Sequence, residues 1–163
     1  MNRLSSLLQQ PEYVHVALNH FPLVGLVVAG LGLAAALVMR NRPAIFLSLG
    51  LLALMALSAW PVYSYGEAGY DRVLSMSDDA GQAFLKYHAH LAERWVFLYY
   101  LTTASAMAGI GLGWKWPRLL LPLSIASIVL AVASLSAGIF IAHAGGEIRH
   151  REFRSSPPPA VSQ

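Results

Sequence analysis

"LLLPLSIASIVLAVASLSAGIFIAHAGGEIRH", residues 119–150, decides the fold. Its first 28 residues, Leu119 to Gly146, carry no charge. A spanning helix needs roughly 20 predominantly apolar residues, so this stretch reads as transmembrane. It closes on a histidine, two glycines, a glutamate and a second histidine. Ligand-type side chains at the rim of a lipid-facing helix are functional candidates.

Three more segments of the same kind precede it: Tyr13 to Met39, Pro43 to Tyr65, and one that starts near Lys86 and is uncharged from Trp95 to Trp114. Trp60, Trp95, Trp114 and Trp116 stand near the expected ends, where aromatic belts lie. Of the 163 residues, 56% are hydrophobic and 12% charged, with mean hydropathy +0.54. A soluble domain carries about 25% charged residues. The expectation is therefore an all-α protein, a transmembrane up-down-up-down four-helix bundle over residues 13–150. A short N-terminal segment, 1–12, precedes it, and a disordered Pro/Ser-rich tail, 151–163, follows. "MNRLSSLLQQPE" lacks the apolar core of a cleavable signal peptide, so the first segment is expected to be mature structure.

The links Arg40-Asn41-Arg42 and Lys115-Trp116-Pro117-Arg118 are short, which favours antiparallel neighbours. They hold four basic residues and no acid, while all eight acidic residues belong to the other side. By the positive-inside rule the tight links face the cytoplasm, and both termini and the middle link, Gly66 to Leu85, face outward. Gly25, Gly30, Gly32, the run Ala34–Ala36 and the pair Gly109/Gly113 are expected to let helices approach closely.

On this topology all six histidines, at positions 15, 20, 88, 90, 143 and 150, fall on the outer side. The chain has no cysteine. That excludes disulfides, iron–sulfur clusters, thiolate-bound haem and covalent c-type attachment, but not a site built from histidine and carboxylate. Nucleic-acid binding has no support, because no basic patch with interleaved aromatics is present. Helix centres without charge also lack the broken, polar midplane of a transporter.

Two chemistries fit the histidines. Haem b held between helices needs two imidazoles at similar depth on facing helices. His20, His90 and His143 are the leading candidates, with His88 competing with His90, since two rings two residues apart on a helix cannot point into one site. Arg94, one turn beyond His90, is placed to meet a propionate. Gly145 and Gly146 beside His143 permit close approach. The second chemistry is a non-haem iron, copper or zinc centre. Glu12/His15 and Glu147/His150 both match Glu-x-x-His, and with Glu67 and Glu93 they complete the ligand inventory of a di-iron bundle. Beside both stands a bland alternative, a structural or assembly subunit whose histidines sit at the interface with one hydrogen bond each.

"NHFPLVG" (19–25) and "HAGGEIRH" (143–150) resemble a group of bacterial four-helix inner-membrane proteins classed as a domain of unknown function. That group has a His-Phe-Pro element opening the first span and a Gly-Gly element closing the last. The similarity covers about residues 13–150. It implies a small, cytochrome-b-like multipass protein that serves a redox partner or a larger membrane complex, with no established catalytic residue. His20, Phe21, Pro22, Gly145 and Gly146 carry over by motif. "EIRH" departs from the pattern, so Glu147 and His150 do not.

Overall fold

The computed structural model describes residues 3–158, and those residues form helices and turns with no strand. Four helical stretches are long and apolar enough to cross a membrane: Pro11–Val38, Arg42–Ser75, Asp79–Lys115 and Pro117–Arg149. The elements are α1 (Arg3–Leu8), α2 (Pro11–Leu18), α3 (Leu26–Val38), α4 (Arg42–Leu57), α5 (Ala59–Ser75), α6 (Asp79–Lys115) and α7 (Leu120–Arg149). Large apolar side chains such as Leu31, Val38, Ile139 and Phe140 point outward from them. In water that surface would be costly, and against acyl chains it is the expected one. The chain is a helical, multi-pass membrane protein.

Two prolines break the first two spans. Pro22 has no N–H and its ring crowds the preceding turn, and the chain answers with a wider π-helical turn over Phe21–Gly25. That turn buries Pro22 and sets Gly25 against the Met55 side chain. In the second span the break falls at Ser58, three residues before Pro61, and the Ser58 hydroxyl donates back to the Met55 carbonyl.

The middle link differs from its sequence reading. α5 continues through Gly66, Glu67 and Arg72 to Ser75, and α6 already begins at Asp79. Charge marks where hydrocarbon ends, not where a helix ends, and here tertiary contacts carry both helices beyond it. Gly69 packs on the backbone of Glu12, and Arg72 Nε meets Glu12 Oε1 at 2.9 Å. A small cluster of Phe84, Leu85 and Ile148 fills the space between α6 and α7 at this end.

The main core lies toward the other end, around Leu26, Leu33, Leu49, Leu52 and Ala106. α6 and α7 meet there through small residues and paired hydroxyls. Thr102 donates to the Leu98 carbonyl of its own helix, so the Ser134 hydroxyl donates to Thr102 across 2.9 Å. Ser127 likewise donates to Leu123, leaving Ser105 to donate to Ser127 at 2.9 Å. Such pairs contribute about 0.6 kcal/mol each in lipid. A Cβ at Gly109 would lie 3.1 Å from Leu49 Cδ1, and one at Gly113 would lie 2.8 Å from Leu120 Cδ1. Both are thus contact glycines, as their spacing predicts. Gly30 faces open space instead.

After α7 a 3-10 turn, Arg151–Phe153, returns Arg154 to the start of α6. Residues 1–2 and 159–163 of the expected terminal segments lie outside the described residues. Arg154 grips both Asp78 carboxylate oxygens at 3.0 Å, Arg151 adds a third contact, and Asp78 Oδ1 caps α6 through the Gly81 N–H. The Arg154 hydrogen bonds, then the Gly81 N–H, hold this carboxyl down at about 2, from an ordinary 3.8. A depressed carboxylate stabilises the fold fully above its unfolded value and loses that contribution as pH falls through the folded one. Asp78→Asn is therefore expected to lower the thermal midpoint at neutral pH, with the gap to wild type closing between about pH 4 and 2. A gap that stays constant across that window would show that the charge contributes nothing.

Candidate functional site

At the charged end of the helices two histidines face each other. His15 comes from α2, which Pro11 and Glu12 start as an ordinary helix N-terminus, and His88 comes from the third turn of α6. Their ring centres are 6.1 Å apart and their planes stand at 89°. Each ring is tied to a different neighbouring helix. His15 Nδ1 lies 2.8 Å from the Val62 carbonyl on α5, and His88 Nδ1 lies 2.8 Å from the Ile141 carbonyl on α7. A carbonyl oxygen can only accept, so both Nδ1 atoms carry the proton. In the neutral form of either imidazole the lone pair is then on Nε2. That is how metal-ligating histidines are held, with one nitrogen donating to a fixed acceptor and the other free to coordinate. No other hydrogen bond engages either ring among the described residues.

The two anchors share one construction. Four residues after Val62 stands Gly66, and four after Ile141 stands Gly145, each over the carbonyl that its histidine bonds. A Cβ at Gly66 would sit 2.9 Å from His15 Nδ1, and one at Gly145 would sit 3.2 Å from His88 Nδ1 and Cε1. The missing side chains are what let the rings reach the backbone. The first two spans and the last two thus repeat the same histidine–carbonyl–glycine device.

Both rings line a cavity of about 100 Å³. Its polar lining comes from Asn19, Tyr63 and Tyr99 besides the histidines, and its walls include the small Ala59, Ala92, Gly138 and Ala142. The Tyr99 hydroxyl rests directly against Gly138. No charged side chain lines it among the described residues.

The other expected site residues lie elsewhere. His20 is exposed at the entry to the π turn. His143 has its side chain 66% exposed, with Nε2 3.8 Å from the buried Glu147 carboxylate. Of the His88/His90 pair, His88 takes the inward place and half-buried His90 stands outside the cavity. Arg94 is exposed and lies over the Trp95 ring at 5.3 Å. Gly145 supports His88, and Gly146 meets Phe153. The carboxylate set is dispersed: Glu12 is engaged by Arg72, Glu67 and Glu93 are exposed, and His150 pairs with Glu152 at 3.0 Å. No three His, Asp or Glu side chains converge among the described residues. His15, read from sequence as part of that set, instead partners His88.

Compared with protein-family models, curated proteins and solved structures, the chain matches none.

Proposed function

We propose that the chain is an integral membrane haem b protein for electron transfer, with the iron held by Nε2 of His15 and His88. The number of ligands supports this reading best. Two anchored imidazoles line one cavity, and no third His, Asp or Glu converges on them among the described residues. Structural zinc takes four ligands from the protein, whereas haem brings four of its own and asks the protein for the axial ones. An iron shared by the two rings would sit about 2 Å from each Nε2, so their ring centres must lie within reach of one ion. The observed separation is 6.1 Å.

Haem, when bound, supplies one-electron chemistry. The chain's part is to fix ring orientation through Val62 and Ile141, to exclude water with apolar walls, and to leave room beside the rings at Ala59, Ala92, Gly138 and Ala142. A macrocycle exceeds about 100 Å³, so loading would have to part the walls at these small side chains. Haem propionates would have to reach the charged end of the helices, because no cation lines the cavity among the described residues.

In this reading the spans run up-down-up-down through a bacterial inner membrane, the histidine end outward, and the chain serves a redox partner or larger complex. The basic tight links support the orientation. Asn41→Cys should react with an impermeant thiol reagent only after spheroplasts are opened, and Ser155→Cys should react in intact ones. The reverse pattern inverts the topology.

The bland reading has an observation of its own. Each histidine already fastens two helices by a hydrogen bond, which suffices for a structural subunit without cofactor. A non-haem iron, copper or zinc ion would find two nitrogens and is the weaker alternative. The visible spectrum of detergent-purified protein, with parallel metal analysis, separates the three. Soret and α bands on reduction support haem. Bound metal without those bands supports a non-haem ion. Protein made in haem-supplied cells that carries neither is structural, and the proposal falls.

A further inference from the structure

The opposite end of the helices holds a second concavity, a groove of about 670 Å³ between α4 and α6. Arg42, Pro43, Phe46, Ile110 and Trp114 line it. Its wall is apolar and aromatic, with Phe46 and Trp114 rings 5.8 Å apart, and one cation, Arg42, belongs to its lining. Arg42 donates one N–H to the Gly113 carbonyl at 3.2 Å and lies over Phe46, 5.5 Å from the ring centre. A guanidinium has five donors, so this fixed side chain keeps most of them. Arg40, Lys115 and Arg118 stand within four residues of groove-lining positions. None of these four cations meets a carboxylate among the described residues.

Arg40 adds an independent observation. Its φ is 52°, the left-handed region in which glycine is favoured. The hydrogen bonds Arg40 N–H to Leu37 O and Asn41 N–H to Ala36 O make it the residue just past a helix end in a Schellman motif. An arginine there is a strained choice, and strain kept at such a position points to a use for the side chain.

We propose that this groove binds an anionic phospholipid, its phosphate on Arg42 within the field of Arg40, Lys115 and Arg118, and an acyl chain along Phe46, Ile110 and Trp114. Unpaired cations over an apolar slot at a membrane interface complement a lipid that carries both parts. A soluble anion would leave the slot empty, and a zwitterionic lipid would leave the cations uncompensated.

The test uses the full chain in a neutral detergent. Its thermal midpoint is followed while phosphatidylglycerol, phosphatidylcholine of the same acyl chains, or glycerol phosphate is added. A rise with phosphatidylglycerol alone is expected, with Arg42→Gln weakening the apparent affinity about fivefold. Arg118→Gln, which breaks no bond to the fold, should weaken it similarly and serves if Arg42→Gln folds poorly. Arg149→Gln/Arg151→Gln, at the far end, should change nothing. Any of four results overturns the site: equal response to phosphatidylcholine, an equal rise with glycerol phosphate, unaltered affinity in both groove variants, or equal weakening in the far-end control. Lipid-independent dimerisation that shields position 114 would seat a second copy in the groove and overturn the lipid site as well.

Discussion

Protein carrying His15→Ala or His88→Ala is expected to leave purification with most of its haem lost, at folded yields close to wild type. Any haem retained should change from a six-coordinate to a five-coordinate spectrum. The expectation follows from the proposed use of one Nε2 from each residue, with no third His, Asp or Glu in the cavity lining among the described residues. Folding should survive, because each substitution deletes one interhelical hydrogen bond, about 0.6 kcal/mol in lipid, and leaves the main core, which lies toward the other end, intact. His20→Ala and His143→Ala should keep both spectrum and occupancy, since one ring is exposed at the π turn and the other is 66% exposed beside Glu147. A purely structural role for the pair predicts a different result, in which the four variants differ in thermal midpoint and in nothing optical. Wild-type occupancy and bands in either His15→Ala or His88→Ala would end the axial-pair assignment.

The four spans were legible because hydropathy and charge report the same boundary: tight basic links at one end, acidic residues at the other. The helices beyond that boundary were not. Gly66 through Arg72 reads as loop by charge, and what makes it helix is contact, Gly69 on Glu12 and Arg72 in its ion pair. The histidine end was legible too, but the choice among six histidines rested on how deep each lies in uncharged sequence. Depth in sequence favoured His20 and His143, whereas the rings that meet across the helices, His15 and His88, are those with a carbonyl acceptor. A ring is drawn inward where a neighbouring helix offers a carbonyl bared by a glycine one turn later. A trace of this was present. His15 lies 25 residues before Arg40 and Gly66 lies 24 after Arg42, while His88 lies 27 before Lys115 and Gly145 lies 27 after Arg118. At 1.5 Å per helical residue these four positions share one level. His20, five residues nearer its link, does not.

Gly66→Ala is expected to reduce the affinity for haem by about 10–100-fold, the usual cost of disturbing what orients a metal-bound histidine. The added methyl would stand 2.9 Å from His15 Nδ1, inside contact distance of the atom that bonds Val62 at 2.8 Å. The ring cannot keep that bond and accept the methyl, and once it swings free Nδ1 no longer fixes where Nε2 points. At Gly145 the corresponding clearance to His88 is 3.2 Å, so a few tenths of an ångström suffice and the loss should be smaller. Gly30→Ala is the control: nothing lies within 4 Å of its added methyl, occupancy should not move, and stability should rise by about 0.5–1 kcal/mol as glycine leaves a helix interior. The order of loss therefore follows clearance to the rings, Gly66 before Gly145 before Gly30. Helix propensity alone would improve all three alike. Occupancy per folded protein and the position of the α band measure it. If Gly66→Ala binds as wild type does, the Val62 bond does not orient His15, and the repeated glycine device is packing without bearing on the ligand.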